Sequence, residues 1–444
     1  MINLRKLYKK IKSYISSIMQ AVIICGGKGT RLKSIIGNRA KALIKFNKIE
    51  NLKNQIEILK KNGVKNFLFL VNNFENQIKS FLKKNYSREF ITFKDQNHFG
   101  TGGCLYGARK NLKKKFLIIY SDLYFNFNFK NFIKSSSKKK CLFSCVVHAN
   151  DHPQDSDTVI IDKNFFIKKI LKKNTNSLKM NSAIAGIFFA KKNFLRYFNF
   201  KKTKSYDLVN DVLPQIIKKH CKIFAYKTIE YIKDFGTINR IRNIRKDIKN
   251  NKIKNLFFYF KTKSVFLDRD GVINKESKKI KNIKNFHIFP KVKHAIKKLN
   301  KNKIPCFIVS NQSGLAKNEF GIKELQKIIS ILDLHLSKNK AYIDDFLICP
   351  HFDDIKYKGK KMSFFSNYRK PDPGMIITLA NKYRISLKKS FIIGDSDKDI
   401  LAGKKAGLKT ILVKSSKIHD YKINVEPSFR TKDINSAVNI ILKI

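Results

Sequence analysis

The sequence predicts an α/β protein built from two units, each a parallel sheet covered by helices. Two segments each open with an apolar, β-rich run that breaks at a Gly- or Asp-bearing loop: AVIICGGKGTRL at residues 21–32 and SVFLDRDGVIN at 264–274. After each opening, short apolar runs alternate with longer Lys-spaced helical patterns, the rhythm of strand–helix–strand crossovers. The length, 444 residues, exceeds what one hydrophobic core usually organises.

The first unit is expected over 19–245, with strands at 21–25, 67–71, 116–120, 141–147 and 186–190. The second is expected over 263–444, with strands at 264–267, 306–309 and 391–393. Residues 240–262, RIRNIRKDIKNNKIKNLFFYFKT, are densely charged and contain no Gly or Pro, which reads as a terminal helix followed by a linker over 246–262. The units share no motif and no repeat of fixed period is visible, which argues for fusion over duplication. Residues 1–18 form a basic, mildly amphipathic leader without the continuous apolar core or cleavage site of a secretory signal. Met19 directly precedes the first strand, so translation starting there would leave the leader untranslated.

The formal net charge of +62 comes from 94 Lys and Arg against 32 Asp and Glu. Such charge invites phosphate-backbone binding. Here the positive residues run evenly from end to end alongside inflated Asn, Ile and Phe, the pattern of an AT-rich coding bias, whereas a dedicated binder concentrates its charge. No specific nucleic-acid partner is expected. Lys or Asn interrupts nearly every apolar stretch before it could span a bilayer, so no membrane segment is expected. Seven cysteines, an odd number without a disulfide-like spacing, fit a reducing cytoplasm.

In the second unit, Asp268 and Asp270 end the first strand at i and i+2, so both carboxylates face one side of an extended segment. Carboxylates that close repel unless a cation lies between them. The apolar strand of CFIVSNQSG then ends in Ser310, its fifth residue, a hydroxyl able to hold phosphoryl oxygens. RKPDPGM supplies the cations Arg369 and Lys370, and FIIGDSDKD supplies Asp395 as a metal ligand, with Asp399 one helical turn later to orient Lys370. All four pieces follow strand ends, the edge where open parallel sheets bind ligands.

This order of DxD, Ser, Lys and GDxxxD resembles the haloacid dehalogenase superfamily of phosphatases over about 150 residues. Within it, DRDGVIN, SNQSG, CPH and RKPDPGM are similar to the heptose 1,7-bisphosphate phosphatases and their histidinol-phosphate phosphatase relatives. The resemblance implies that Asp268 is the nucleophile and Asp270 the acid and base. It places Mg²⁺ on Asp268, the backbone carbonyl of Asp270, and Asp395, and gives Asn311 and Arg369 contact with substrate. Relatives often hold a structural zinc with a Cys-x-His and a Cys-x-Cys pair. Cys349 and His351 keep the first pair, but Ser366 and Tyr368 stand at the second, so zinc is not expected.

In the first unit, Gly26, Gly27 and Gly29 let a backbone approach phosphate oxygens, beside Thr30 and the cations Lys28 and Arg31. The loop matches neither the P-loop nor the dinucleotide fingerprint. It resembles the GGxGTRL signature of sugar-1-phosphate nucleotidyltransferases, over about 220 residues. Lys41 stands at that family's Pro-Lys, with Ala40 in place of the Pro, and Gly100-Thr101-Gly102-Gly103 at its nucleotide-facing turn. Asp122 and Asp234 stand at its metal aspartates, with Ser121 in place of a Gly. Lys173 stands near its sugar phosphate, and Asn181 lies in a further segment that resembles the family and is expected to bind substrate. The resemblance implies Mg²⁺ on Asp122 and Asp234, and charge dispersal by Arg31 and Lys41.

Together these imply two Rossmann-like domains, a nucleotidyltransferase sheet and a haloacid dehalogenase-like sheet. The implied substrates are a phosphorylated heptose and a nucleoside triphosphate, with the resemblance favouring GMP as the transferred group, on a route to lipopolysaccharide or S-layer precursors. Alternatives are another hexose 1-phosphate with a different small-molecule phosphatase, or a catalytically weakened binding protein.

Overall fold

A computed structural model of the chain describes residues 19–86, 90–94, 99–173, 181–256, 261–275, 286–350, 367–414 and 425–444. The basic leader, His351 and Ser366 lie outside the described residues. The chain divides into two compact units, which are described separately.

In the first unit, Gln20–Ile24 lies between Asn66–Val71 and Lys115–Tyr120, parallel to both, and Phe90–Lys94 extends the sheet beyond Asn66–Val71. Along Gln20–Ile24, Ala21 and Ile23 enter one core and Val22 the other. Both faces are covered, which is why this strand reads as an unbroken apolar run and not as an alternating one. The sheet is mixed, a correction to the expected parallel one. Ala183–Lys191 runs antiparallel to Lys115–Tyr120, and Thr158–Ile161 pairs antiparallel with Ile167–Leu171. Only five residues separate the latter two strands, a connection that suits a hairpin and is too short for a parallel crossover. A separate two-stranded ribbon pairs Leu123–Asn126 with Tyr231–Asp234.

Where this ribbon begins, Glu230 is buried, accepting from Asn128 N at 2.9 Å and from the Thr228 hydroxyl at 3.1 Å. Burial pushes its carboxyl up to about 8 despite those bonds. The unfolded chain ionises near 4.3, so the native state loses relative stability as pH rises from there to about 8. Glu230→Gln keeps the shape and removes the charge. Thermal melts should show the variant close to wild type at pH 5 and more stable at pH 8, by a few kcal/mol. A gap that does not widen with pH would refute this.

The second unit is a six-stranded sheet, every neighbouring pair parallel. Val265–Leu267 lies at the centre, with Cys306–Asn311 and Asp345–Cys349 on one side and Phe391–Gly394, Lys409–Val413 and Phe429–Thr431 on the other. Numbered within the unit this is the order 3-2-1-4-5-6, the doubly wound arrangement, whose ligand crevice opens where the strand order reverses. The helix Asp397–Ala406 starts at a capping box between Ser396 and Asp399 and stops at Gly407, whose φ of 77° suits a helix C-terminus. Ile238–Lys249 is the expected terminal helix, capped by the Thr237 side chain.

Candidate active sites

In the second unit, Asp268 follows the central strand, and its N–H donates to Ile393 O at 3.0 Å, which ties it to the neighbouring strand. Lys370, 3% exposed, donates through Nζ to Asp268 Oδ1 at 2.7 Å, Asp399 Oδ1 at 2.6 Å and Val309 O at 2.9 Å. Asn311 holds the Lys370 backbone from both sides, accepting from its N–H at 3.0 Å and donating to its carbonyl at 2.9 Å. Asp399 Oδ2 accepts from the Ser396 hydroxyl at 2.6 Å, so the helix cap fixes the residue that fixes the lysine. Burial works against the Lys370 charge, but Asp268 and Asp399 more than offset it and keep the ammonium protonated.

Burial lifts the Asp268 carboxyl above its ordinary range, and Asp399, Asp270 and Asp395 add to the shift against the pull of Lys370. Among the described residues, Asp268, Asp395 and Asp399 form one acidic cluster, with an oxygen of each within 4.8 Å of the others. Gly271 makes room for it. Its φ is +82°, and a Cβ there would stand 2.0 Å from Asp395 Oδ2.

The Asp270 carboxylate lies outside that cluster, which departs from the i, i+2 reading of two carboxylates around one cation and leaves its backbone carbonyl as the group the resemblance assigns to the metal. Arg269 grips both its oxygens, with Nη2 at 3.0 and 2.8 Å, while Asn274 donates at 2.9 Å and Gln312 at 2.7 Å. Burial opposes ionisation here, but Arg269 and the amide donors hold the carboxyl below its usual range. Gln312 and Arg269 were not picked out from sequence. The available signals were the place of Gln312 two residues beyond Ser310 and that of Arg269 between the two aspartates.

In the first unit, a cavity of about 320 Å³ opens at the ends of Gln20–Ile24 and Lys115–Tyr120, near the small end of ligand pockets. Gly27, Gly29, Thr30, Arg31, Lys41 and Asp122 line it. Lys41 Nζ meets Asp122 Oδ2 at 2.6 Å. Ala40 has φ −60°, the value a proline ring enforces, and its N–H, which a proline lacks, donates to Gln77. Antiparallel pairing sets Asp234 opposite Leu123, and Phe235 N donates to Asp122 O, which brings the two aspartates side by side. Arg240 pairs with Asp234. A Cβ at Gly236 would lie 3.2 Å from Asp234 Oδ1 and 3.4 Å from Arg31 Nη2, so this glycine leaves the room in which Arg31 nears Asp234.

Gly102, Asn181, Lys173 and Gly26, all expected at the site, lie outside the cavity lining. Gly102 packs against the chain: a Cβ there would strike Val212 Cγ2 at 2.4 Å. Its neighbour Thr101 lines the cavity instead, donating to Asp207 at 2.9 Å. Asn181 braces Asn150, accepting from its N–H at 3.0 Å and donating to its carbonyl at 2.7 Å. Lys173 is exposed, and neither Lys173 nor Asn181 lines the cavity. Gly26 also stays outside the lining, where Asn73 donates to its carbonyl at 2.8 Å. Cys25 lines the cavity as a neutral thiol, because burial pushes it up to about 12.

The family model for nucleotidyl transferase matches residues 20–251, more than half the chain. The chain belongs to that family. A HAD-hydrolase-like model matches residues 367–437. A D-glycero-alpha-D-manno-heptose-1,7-bisphosphate 7-phosphatase of Photorhabdus laumondii is 36% identical over 156 residues, covering 35% of this chain and 84% of that protein. A D-glycero-beta-D-manno-heptose-1,7-bisphosphate 7-phosphatase of Rhodopseudomonas palustris is 34% identical over 145 residues, covering 33% and 79%. Among solved structures, HddC from Yersinia pseudotuberculosis is 23% identical with a TM-score of 0.45, covering 52% of this chain and 100% of its own. This fusion of a sugar-1-phosphate nucleotidyltransferase with a haloacid dehalogenase superfamily phosphatase is therefore an enzyme of both families. Among the described residues, no helix of the fusion enzyme is long and apolar enough to cross a membrane.

Proposed function

We propose that the chain catalyses two consecutive steps on one heptose, from catalytic domains spanning 19–245 and 263–444. The second domain hydrolyses the 7-phosphate of D-glycero-D-manno-heptose 1,7-bisphosphate. The first transfers a nucleotidyl group, GMP from GTP, to the resulting heptose 1-phosphate. The observation that carries this is the pairing itself. A 7-phosphatase, as the relatives covered to 84% and 79% are named, leaves a sugar with its 1-phosphate intact. That phosphate is the nucleophile a sugar-1-phosphate nucleotidyltransferase uses. Both steps belong in the cytoplasm, where nucleoside triphosphates are made.

In the phosphatase, an Asp268 oxygen attacks phosphorus, the bond to the sugar oxygen breaks, and an aspartyl phosphate forms. A phosphate monoester, with a second pKa of about 6, can bring the proton that Asp270 takes up and passes to the departing sugar oxygen. Asp270 then acts as base toward the water that cleaves the aspartyl phosphate. Ser310 and Lys370 hold phosphoryl oxygens, and Asn311 and Arg369 contact substrate. The clustered carboxylates suit a hard divalent cation. Lys370 and Ser396 engage both oxygens of Asp399, so Mg²⁺ is assigned to Asp268, Asp395 and the backbone carbonyl of Asp270. When bound, Mg²⁺ supplies positive charge that keeps Asp268 ionised and offsets charge on the phosphoryl group.

In the nucleotidyltransferase, Asp122 and Asp234 hold a second Mg²⁺, while Arg31 and Lys41 offset the charge on the departing pyrophosphate. Glycine-loop amides and Thr30 cradle the triphosphate. The sugar phosphate needs no general base, being ionised already. The chain is to be incubated with Mg²⁺ and heptose 1,7-bisphosphate, then separately with GTP, ATP, CTP and UTP, and products read by mass spectrometry. GDP-heptose is the expected product. A different sugar or base preferred under these conditions would replace this reading with the other-hexose alternative.

Gly271→Ala should lower phosphatase kcat/KM by 10-fold or more and raise the Mg²⁺ concentration at half activity. The added methyl group collides with Asp395 at a φ that non-glycine residues resist. Magnesium titrations of phosphate release check it, and an unchanged titration would reject the placement of Asp395.

A further inference from the structure

We infer that Gln312 is a positioning residue that sets the distance between the phosphoryl-holding hydroxyl of Ser310 and the acid–base carboxyl of Asp270, an inference that rests on the phosphatase reading above. Gln312 is buried, and every polar position of its amide is in use. Nε2 donates to Asp270 Oδ2 at 2.7 Å and to Ser310 Oγ at 2.9 Å, and Oε1 accepts from Arg269 Nη2 at 3.0 Å. Its own N–H donates to Cys349 O at 2.8 Å, which anchors the residue to the next strand. The amide is planar and has two N–H bonds on one nitrogen, so it can hold two acceptors at a fixed separation. The phosphoryl group sits on Ser310 and the departing oxygen is bonded to the same phosphorus, so fixing Asp270 relative to Ser310 fixes it relative to the oxygen that must receive its proton. A displacement on the order of 1 Å at such a step costs about 100-fold.

The proton matters when the departing oxygen is strongly basic, as in a sugar alcohol, and hardly when it is a nitrophenolate. The value of kcat/KM reports only the steps through loss of that group. Gln312→Leu, close in volume, should therefore lower kcat/KM for heptose 1,7-bisphosphate by 30-fold or more, and that for p-nitrophenyl phosphate by less than threefold. Inhibition by inorganic phosphate should stay near wild type, and the variant should still melt cooperatively, at a temperature lowered by the buried partners left unpaired. Equal losses on both substrates would mean that Gln312 serves phosphate binding or folding, and no loss on either would mean that it sets nothing. Both results overturn the inference. Asp270→Asn run alongside separates the levels. If it also fails to distinguish the two substrates, the acid role of Asp270 itself is wrong. If it distinguishes them while Gln312→Leu does not, only the positioning role falls.

Discussion

Asp268→Asn is expected to reduce phosphate release from heptose 1,7-bisphosphate by at least ~10³-fold, about 4 kcal/mol of transition-state stabilisation, with nucleotidyl transfer to supplied heptose 1-phosphate within twofold of wild type. The amide oxygen can still accept from Lys370, which stays neutralised by Asp399 at 2.6 Å, so the site keeps its shape. What disappears is the proposed nucleophile and one proposed anionic ligand for the cation. The carboxylate belongs to a unit with its own sheet and its own core, which is why the loss should stay confined. Parallel assays of inorganic phosphate and of sugar nucleotide on the same preparation check this. If both activities vanished in a variant that still melted cooperatively, the assignment of two separate sites would be wrong.

Asp122→Asn should do the converse, lowering nucleotidyl transfer by ~10² to 10³-fold and leaving phosphate release unchanged. Removing a single electrostatic contact to a charged transition state costs on this scale. Asp122 is the residue most exposed to such a test, because it follows the Lys115–Tyr120 strand, lines the cavity and pairs with Lys41 at 2.6 Å. The substitution also leaves Lys41 without its partner carboxylate, so a variant carrying Lys41→Gln as well should lose less than the product of the two single losses. Pyrophosphate release with saturating Mg²⁺ provides the readout. Full multiplicativity would place the two residues in independent roles.

The strands that carry the motifs were legible because burial on both faces leaves a continuous apolar run, as in AVII and FIIG, followed by a conspicuous Gly or Asp. The peripheral strands were not. Ile167–Leu171 reads IKKIL and keeps only its first residue fully buried, so in a chain where lysine is everywhere it looks like any solvated segment. Leu123–Asn126 does alternate buried and half-buried residues, but four residues are too few for the period to stand out. The same ribbon builds the proposed nucleotidyltransferase site, since its register brings Asp234 to Asp122 across more than 100 residues of chain. Resemblance to family motifs pointed to both aspartates, whereas their meeting depends on pairing that no local pattern announces. Gln312 and Arg269 were hidden for another reason: their role lies in bonds to Asp270, visible only once the strand ends converge. At Gly102 a glycine in a glycine-rich turn could serve ligand approach or close packing, and the structure shows the packing against Val212.

One carboxylate in the phosphatase has two employments. Asp399 closes the first turn of the Asp397–Ala406 helix through Ser396 and at the same time steadies the Lys370 ammonium that faces Asp268. Fraying at that helix end therefore reaches the chemistry before it reaches the fold. On gradual heating the hydrolase should fall silent at a temperature where circular dichroism still reports an intact molecule, and Ser396→Ala should widen that interval.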